Sequence, residues 1–579
     1  MSSVSSVGAS GTDAPARWTA VFPPAQWLPG YQAQWLGADL VAGVTLAAYA
    51  IPVSLAYAGL AGLPPQVGIY GYLLGGLGYA LFGSSRHLAV GPTSAISLMV
   101  GGTVAQLAGD DAMLYGQIAT LAGFVIAAMS VLAWLLRLST LTSFISETIL
   151  LGFKAGAALS IAATQLPALF GVPGGGANFF VRVLTVCQQL GQLSPTTTAV
   201  GCAALLFLLS GEILLPGRPV ALMVVALSIA AVSLTPLRQA GLTLVGSVPS
   251  GLPVLGLPGI RVRDVDGVIP LACACLLLAY IEGVSAARTF AVKHGYPLDV
   301  RQELLGLGVA NLLVGFGGGY PVAGGLSQSA VNEKAGAKTP LALLFASATL
   351  GLCLLFLTGL VQNLPKAVLA AIVLVAVKGL INFREMARLW HVSRFEFTVT
   401  MVAFAGVLVE GILRGVLLAA LVSILMLLRR AANPHVAFLG RIPGTRRFSD
   451  LQRHSDNERI AGVVAFRVES SLLYFNVENV MHAVLERLGH EGSAVRLVVC
   501  DLSTSPYVDV AGARMLESLS DELAKRAVAL RVTDAHAGVR DMLRAEGVDE
   551  KVGGVNRFAS VADVVDAVVA ESTPAGRGG

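Results

Sequence analysis

The chain has 579 residues, 55% of them hydrophobic and only 13% charged, against roughly 25% charged in an average soluble protein. That composition argues against a soluble globular fold, and a net charge of +4 gives no reason to expect a nucleic-acid partner. The apolar residues concentrate in residues 39–429, and the stretch after Arg430 has ordinary charge density, so two regions face two solvents.

Residues 1–38 lack a charged stretch followed by an apolar run and a small-residue cleavage site. They read as a cytoplasmic N-terminal segment, with the first span directing insertion. A hydrocarbon core of about 30 Å takes roughly 20 apolar residues per helix. On that scale residues 39–429 hold spans beginning near Leu40, Val67, Pro92, Met113, Thr142, Thr198, Pro219, Val268, Glu303, Gly325, Thr339, Lys366, Phe395 and Gly411. The runs are continuous rather than alternating, which selects helices over a closed barrel. Fourteen is an even count, so both termini share one side. Arg429, Arg430 and the cluster Arg441, Arg446 and Arg447 follow the last span and place that side inside a plasma membrane, the bacterial inner membrane in particular.

Within the first span, Pro52 frees a backbone carbonyl and bends the helix beside Ser54 and Tyr57, where the kink either lines a cavity or is an ordinary transmembrane proline. The third and tenth segments are too short or too polar to cross alone. Each follows an apolar helix, a Gly-containing turn and a short extended piece: Gly91-Pro92-Thr93-Ser94-Ala95 in one, Gly324-Gly325-Leu326-Ser327-Gln328-Ser329 in the other. The two lie half the membrane region apart, the mark of an internal repeat with a broken helix in each half, and seven spans per half make the repeats inverted. Facing half-helix N-termini carry free N–H groups and positive dipole ends, an anion site without a fixed cation, to which Thr93, Ser94, Ser327 and Ser329 add hydroxyl donors. The competing reading is that small residues there only let helices pack closely.

The eighth span carries Glu282 deep in an apolar run. A carboxylate there costs roughly 2.5–3.5 kcal/mol on insertion scales, so something must offset it. Ser285 and Thr289 lie on the same helical face, and together the three read as an ion-coupling group that holds a proton or coordinates a cation. The alternative is a structural ion pair with Arg288 or Lys154. Six cysteines and eight histidines fall in no ligand pattern, and no metal site or cofactor is predicted. Nor is there a nucleophile–base pair or a phosphate loop, which disfavours an enzyme or an ATP-driven pump.

After a polar linker over residues 430–457, a cytoplasmic α/β domain is predicted over residues 458–572, with residues 573–579 as a disordered tail. Strands are expected near residues 460–468, 471–475, 495–502 and 528–533, and helices near 478–488, 512–525, 538–546 and 561–569.

Several segments together resemble the sulfate permease (SulP) family: Asp39-Leu40-Val41-Ala42-Gly43 through Ala56-Tyr57-Ala58, Gly91-Pro92-Thr93-Ser94-Ala95, Gln302-Glu303-Leu304 through Asn311, and Gly324 through Asn332. The resemblance implies fourteen segments in two inverted seven-segment repeats with two half-helices, a mobile core domain against a gate domain, elevator-like alternating access and a homodimer. It implies a substrate site formed by Tyr57, Leu60, Thr93, Glu282, Ser327, Gln328 and Ser329, and a small inorganic or carboxylate anion such as sulfate, bicarbonate or a dicarboxylate as substrate. Many relatives have Arg where this chain has Gln328 and Gln where it has Val53. Less fixed positive charge favours symport with a proton, or with sodium, over plain anion exchange. Residues 500–512 resemble the central strand, loop and helix start of the STAS domain, which in bacterial anti-sigma-factor antagonists carries a phosphorylatable Ser after the loop aspartate. Val510 and Ala511 stand there instead, so Asp509 is read as a helix cap. Two other readings stay open: a membrane-anchored anion sensor signalling through the STAS domain to a cytoplasmic protein, and a nucleobase permease, which usually lacks such a domain.

Overall fold

The computed structural model describes residues 21–572 except 110, 139–146, 177, 216–218, 238–240, 247–248, 258, 260–261 and 492–494. The expected start of the fifth span near Thr142, the tail at 573–579 and the first 20 residues lie outside that set. The chain divides into two compact units, Met1–Ser423 and Ile424–Gly579.

The first unit runs α1 (Trp35–Leu60), α2 (Pro65–Phe82), β1 (Val90–Gly91), α3 (Ser94–Ala108), α4 (Ala112–Leu135), α5 (Glu147–Phe170), α6 (Phe179–Gln188), α7 (Pro195–Leu214), α8 (Val220–Leu234), α9 (Val262–His294), α10 (Val300–Phe316), β2 (Ala323–Gly324), α11 (Leu326–Lys334), α12 (Leu341–Phe356), α13 (Lys366–Lys378), α14 (Phe383–Val392), α15 (Arg394–Glu410) and α16 (Ile412–Ala432), the last of these crossing into the second unit. Setting aside α6 and α14, these are fourteen helical segments among the described residues, the shortest of them α11. Helices α6 and α14 were not anticipated. Both are ten-residue amphipathic pieces between spans, too short to announce themselves beside long apolar runs.

Packing follows a twofold exchange of the two halves. Helix α4 lies on α10 as α12 lies on α2, α1 on α12 as α9 on α4, and α5 on α15 as α13 on α7. The helices thereby sort into a bundle of α1–α4 with α9–α12 and a bundle of α5, α7 and α8 with α13 and α15. Small residues set the closest crossings. A Cβ at Gly78 of α2 would stand 2.7 Å from the Ala310 Cα of α10, and one at Gly152 of α5 would stand 2.0 Å from the Thr400 carbonyl of α15.

The two extended pieces pair with each other. Strands β1 and β2 run antiparallel, Val90 opposite Gly324 and Gly91 opposite Ala323, so the half-helices α3 and α11 leave from one two-stranded platform. Buried polar side chains fix it. Glu303 accepts from the Ser84 N–H (2.9 Å) and hydroxyl (2.7 Å), the Ser85 N–H (3.2 Å) and the Tyr79 hydroxyl (2.7 Å), holding the approach to β1. Asn311 donates to the Val322 carbonyl (3.1 Å) and accepts its N–H (3.0 Å), a side-chain substitute for strand pairing next to β2. At the start of α12, buried Asp39 of α1 accepts from the N–H groups of Lys338 (2.7 Å) and Thr339 (3.1 Å) and from the Thr339 hydroxyl (2.7 Å).

The second unit contains β3 (Val436–Arg441), β4 (Phe448–Asp450), β5 (Val463–Val468), α17 (Val477–Glu491), β6 (Leu497–Asp501), α18 (Val510–Ala524), β7 (Ala529–Thr533), α19 (Ala537–Ala545) and α20 (Val561–Ser572). The sheet order is β4-β3-β5-β6-β7; β5, β6 and β7 are parallel, while β3 pairs antiparallel with β4 and β5. Every residue of β6 is buried, as expected for a central strand covered on both faces. Two expectations need correction. The stretch read as linker, 430–457, carries β3 and β4, because Ala437 and Leu439 put a short buried alternation inside an otherwise basic segment. Residues 471–475 form no strand beyond the single bridge from Leu472 to Val508: Asn476 accepts the Leu473 N–H (2.9 Å) and donates to the Ser471 carbonyl (2.9 Å), closing a turn.

Candidate functional site

Where α3 and α11 begin, a cavity of about 300 Å³ opens, lined from both bundles. Neither half-helix is capped by a side chain: Thr93 and Gly325 take extended conformations at the two N-cap positions and leave the first N–H groups of each helix without a side-chain acceptor. The Thr93 hydroxyl is buried and has no partner among the described residues. Two uncapped helix starts and an unpaired hydroxyl at one cavity form a field that favours negative charge.

Of the residues expected to bind substrate, Tyr57, Thr93, Ser94, Ser327 and Gln328 line this cavity, with Glu282 and Ser285 of the expected coupling group. Leu60, Ser329 and Thr289 do not. Leu60 packs against the hydrophobic core near the end of α1. Ser329 is fully buried behind the helix start, where its hydroxyl accepts the Ala89 N–H (2.9 Å) and donates to the Gly325 carbonyl (2.7 Å), tying α11 to the β1 approach. The Thr289 hydroxyl, exposed, donates to the Ser285 carbonyl at 2.9 Å. Gln328 reaches the cavity, yet its amide is committed. It donates to the carbonyls of Ala89 (2.9 Å) and Ala323 (3.1 Å), one on each side of the platform, and its carbonyl accepts from the Tyr72 hydroxyl. Beside Pro52, the buried Ser54 hydroxyl turns back to the Ile51 carbonyl (2.9 Å), so it is Tyr57 and not Ser54 that faces the cavity.

One cavity residue carries a charge that sequence reasoning entered only as an ion-pair partner. Lys154, on α5 of the second bundle, lines the same cavity as Glu282 on α9 of the first. Their head groups do not meet within 4.0 Å among the described residues, so each faces the cavity rather than closing on the other. Arg288, the other candidate partner, is exposed and is not part of the lining. Tyr49, Tyr72 and Asn382 add further polar atoms to the wall. The signal for Lys154 was present: a lysine inside an apolar helix costs as much as a carboxylate and asks for the same explanation. Among the described residues no group of three or more His, Cys, Asp or Glu could hold a metal ion.

Residues 36–403 match the sulfate permease family and residues 454–564 the STAS domain. The chain is 32% identical over 549 residues to a probable sulfate transporter of Mycobacterium tuberculosis, covering 94% of this chain and 98% of the relative. It is 30% identical over 569 residues to the chloroplastic sulfate transporter 4.1 of Arabidopsis thaliana, covering 94% and 82% respectively. Among solved structures, the murine solute carrier 26 family member A9 anion transporter in its inward-facing state superposes with a TM-score of 0.87 at 24% identity over 97% of this chain and 96% of that chain. The transmembrane domain of a cyanobacterial bicarbonate transporter superposes with a TM-score of 0.57 at 22% identity, over 68% of this chain and 98% of that one.

Proposed function

The chain belongs to the sulfate permease family and is a multi-pass membrane anion transporter, not an enzyme, and on that premise we propose that it carries sulfate inward together with a proton held by Glu282. The observation that supports this most is the charge arrangement of one cavity: two uncapped half-helix starts, one lysine and one carboxylate. An anion at the half-helix starts is drawn by the helix ends and Lys154 and repelled by an ionised Glu282. Protonating Glu282 removes the repulsion, so anion and proton bind more tightly together than apart, which is the thermodynamic content of symport.

The division between bundles supports alternating access of the elevator type. The half-helices and Glu282 ride on α1–α4 with α9–α12, while Lys154 belongs to the bundle of α5 and α13. A movement of the first bundle along the second would carry the anion away from Lys154 and weaken its hold on the far side. The anion sites of this reading are Tyr57, Thr93, Ser94, Ser327 and Lys154, with Ser285 beside the proton-carrying Glu282; Gln328 and Ser329 build the platform. The protein would act as a homodimer in a bacterial plasma membrane with both termini cytoplasmic, and its STAS domain would be the attachment point for a cytoplasmic regulator.

Labelled sulfate, bicarbonate and succinate uptake into proteoliposomes, each with an inward proton gradient, an inward sodium gradient or neither, tests the proposal. Sulfate uptake stimulated by the proton gradient alone is expected. Stimulation by sodium alone would move Glu282 and Ser285 to a sodium site, and gradient-independent flux would indicate exchange. Binding without flux of any anion would favour the sensor.

A further inference from the structure

A second cavity, of about 630 Å³, lies in the other bundle, among the C-terminal end of α5, the loop after it, α6 and the N-terminal ends of α7 and α13. Among the described residues two basic side chains line it, Arg182 of α6 and Lys366 of α13, and no acidic side chain does. Among the described residues neither cation meets a carboxylate within 4.0 Å. The Arg182 Nε–H donates to the Gly176 carbonyl at 3.0 Å, which anchors the guanidinium and leaves its remaining donors without a partner among the described residues. Partial burial holds that guanidinium below the ordinary arginine value, a cost that a bound anion would relieve. Hydroxyls of Thr164, Ser194, Thr197 and Thr243 add polar atoms to the wall.

The loop is built to leave this space open. Gly171, Gly174, Gly175 and Gly176 all have positive φ, at 67°, 73°, 140° and 116°. A Cβ at Gly171 would stand 2.8 Å from the Ser194 Cβ, and one at Gly176 would stand 2.8 Å from the Arg182 backbone nitrogen. Side chains at these positions would strain the backbone and crowd the wall. Counting spans, α5 is the fifth and runs away from the face where α1 begins, while α7 and α13, the sixth and twelfth, start from the far face. The cavity therefore opens on the face opposite the one where α1 begins.

We infer that this cavity is a second anion site, separate from the half-helix cavity, that takes a hydrated tetrahedral oxyanion such as sulfate between Arg182 and Lys366 on the outer face of the transporter. Two unpaired cations with no carboxylate among them hold a dianion better than a monoanion, and the volume accommodates it with its water. Its occupation concentrates substrate at the entry side and ties α6 to α13, a helix of the same bundle as α5, on which the half-helix α3 packs. The site does not depend on how the central cavity couples.

The test is equilibrium binding of labelled inorganic sulfate to the full chain in nanodiscs at low ionic strength. Two sites per chain are expected. Lys366→Gln, at an exposed position that leaves folding unchanged, should weaken one of them about tenfold, and R182Q with K366Q should abolish it while the other persists. Arg182→Lys should retain most of it, separating charge from packing, and all variants should melt as wild type does without sulfate. Phosphate should compete and equimolar chloride should not. A single site in the wild type, two unaltered sites in the double variant, or equal competition by chloride would overturn the inference. Lys154→Gln serves as the complement: if it leaves both sites intact while the double variant removes one, the outer site stands and the central assignment falls.

Discussion

Replacing Lys154 with Gln removes the one cationic side chain that lines the half-helix cavity among the described residues and leaves a polar side chain of similar length. A sphere of about 300 Å³ has a radius of about 4 Å, so an anion at its centre lies about 4 Å from the wall, where each unit of its charge interacts with Lys154 by about 4 kcal/mol at an effective dielectric of about 20. Water in the cavity and Glu282 across it reduce that gain, and the expected loss is about 1.5–3 kcal/mol, a KM raised on the order of ten- to a hundredfold. The attraction is a binding term, so kcat for sulfate should change much less than KM. Lys154→Arg should keep KM within a few-fold of wild type. Initial rates of labelled sulfate uptake into proteoliposomes across a concentration series give both parameters. An unchanged KM for Lys154→Gln, in protein that melts as wild type does, would refute the assignment of Lys154 to the anion site.

Ser329→Ala removes the acceptor of a buried N–H at Ala89 and should cost about 1–3 kcal/mol of stability with little change in KM, read by thermal unfolding in detergent alongside uptake; a large KM effect at unchanged stability would return Ser329 to the substrate site. Gly68→Ala would put a Cβ 2.0 Å from the Ser54 carbonyl, pushing α2 off α1, and should destabilise by about 1–3 kcal/mol or more in the same melt; a wild-type melting temperature would contradict the packing described. In the STAS unit, the Ser560 hydroxyl and N–H and the Arg446 guanidinium lower the Asp563 carboxyl to about 2. A depressed carboxylate contributes stability above its ordinary value near 3.8 and loses it as pH falls toward 2, so protection of α20 amides from hydrogen exchange should decline in that window for wild type and not for Asp563→Asn.

The membrane architecture was legible because hydrocarbon imposes length and continuity on every span, and the two broken helices stood out as the segments that violate both. The residues that carried the family resemblance did so for a reason the sequence does not state. Asp39, Glu303, Asn311, Gln328 and Ser329 satisfy backbone groups around the paired strands and at the start of α12, which explains why polar types are needed there. Pairing of β1 with β2 joins residues more than 200 positions apart, and no local pattern reports such a contact. Lys154 was visible as an anomaly, but one-dimensional reasoning had only nearby charges to pair it with, and its place in the same cavity as Glu282 depends on α5 packing beside the half-helix α3. In the C-terminal unit the antiparallel β3 and β4 were hidden in a stretch whose basic residues outweigh a short alternation, while the parallel strands, β6 among them buried throughout, announced themselves by composition. Asp509 does cap α18, accepting the Gly512 N–H at 2.8 Å, and it also accepts the Tyr474 N–H at 2.8 Å.

The most direct test of Glu282 as the proton carrier is to compare two activities of Glu282→Gln in proteoliposomes: sulfate exchange at equilibrium, and accumulation driven by an inward proton gradient. With a permanently neutral group beside the half-helix starts, exchange should persist while gradient-driven accumulation disappears. Accumulation at the wild-type level would contradict the account and remove Glu282 from the coupling step.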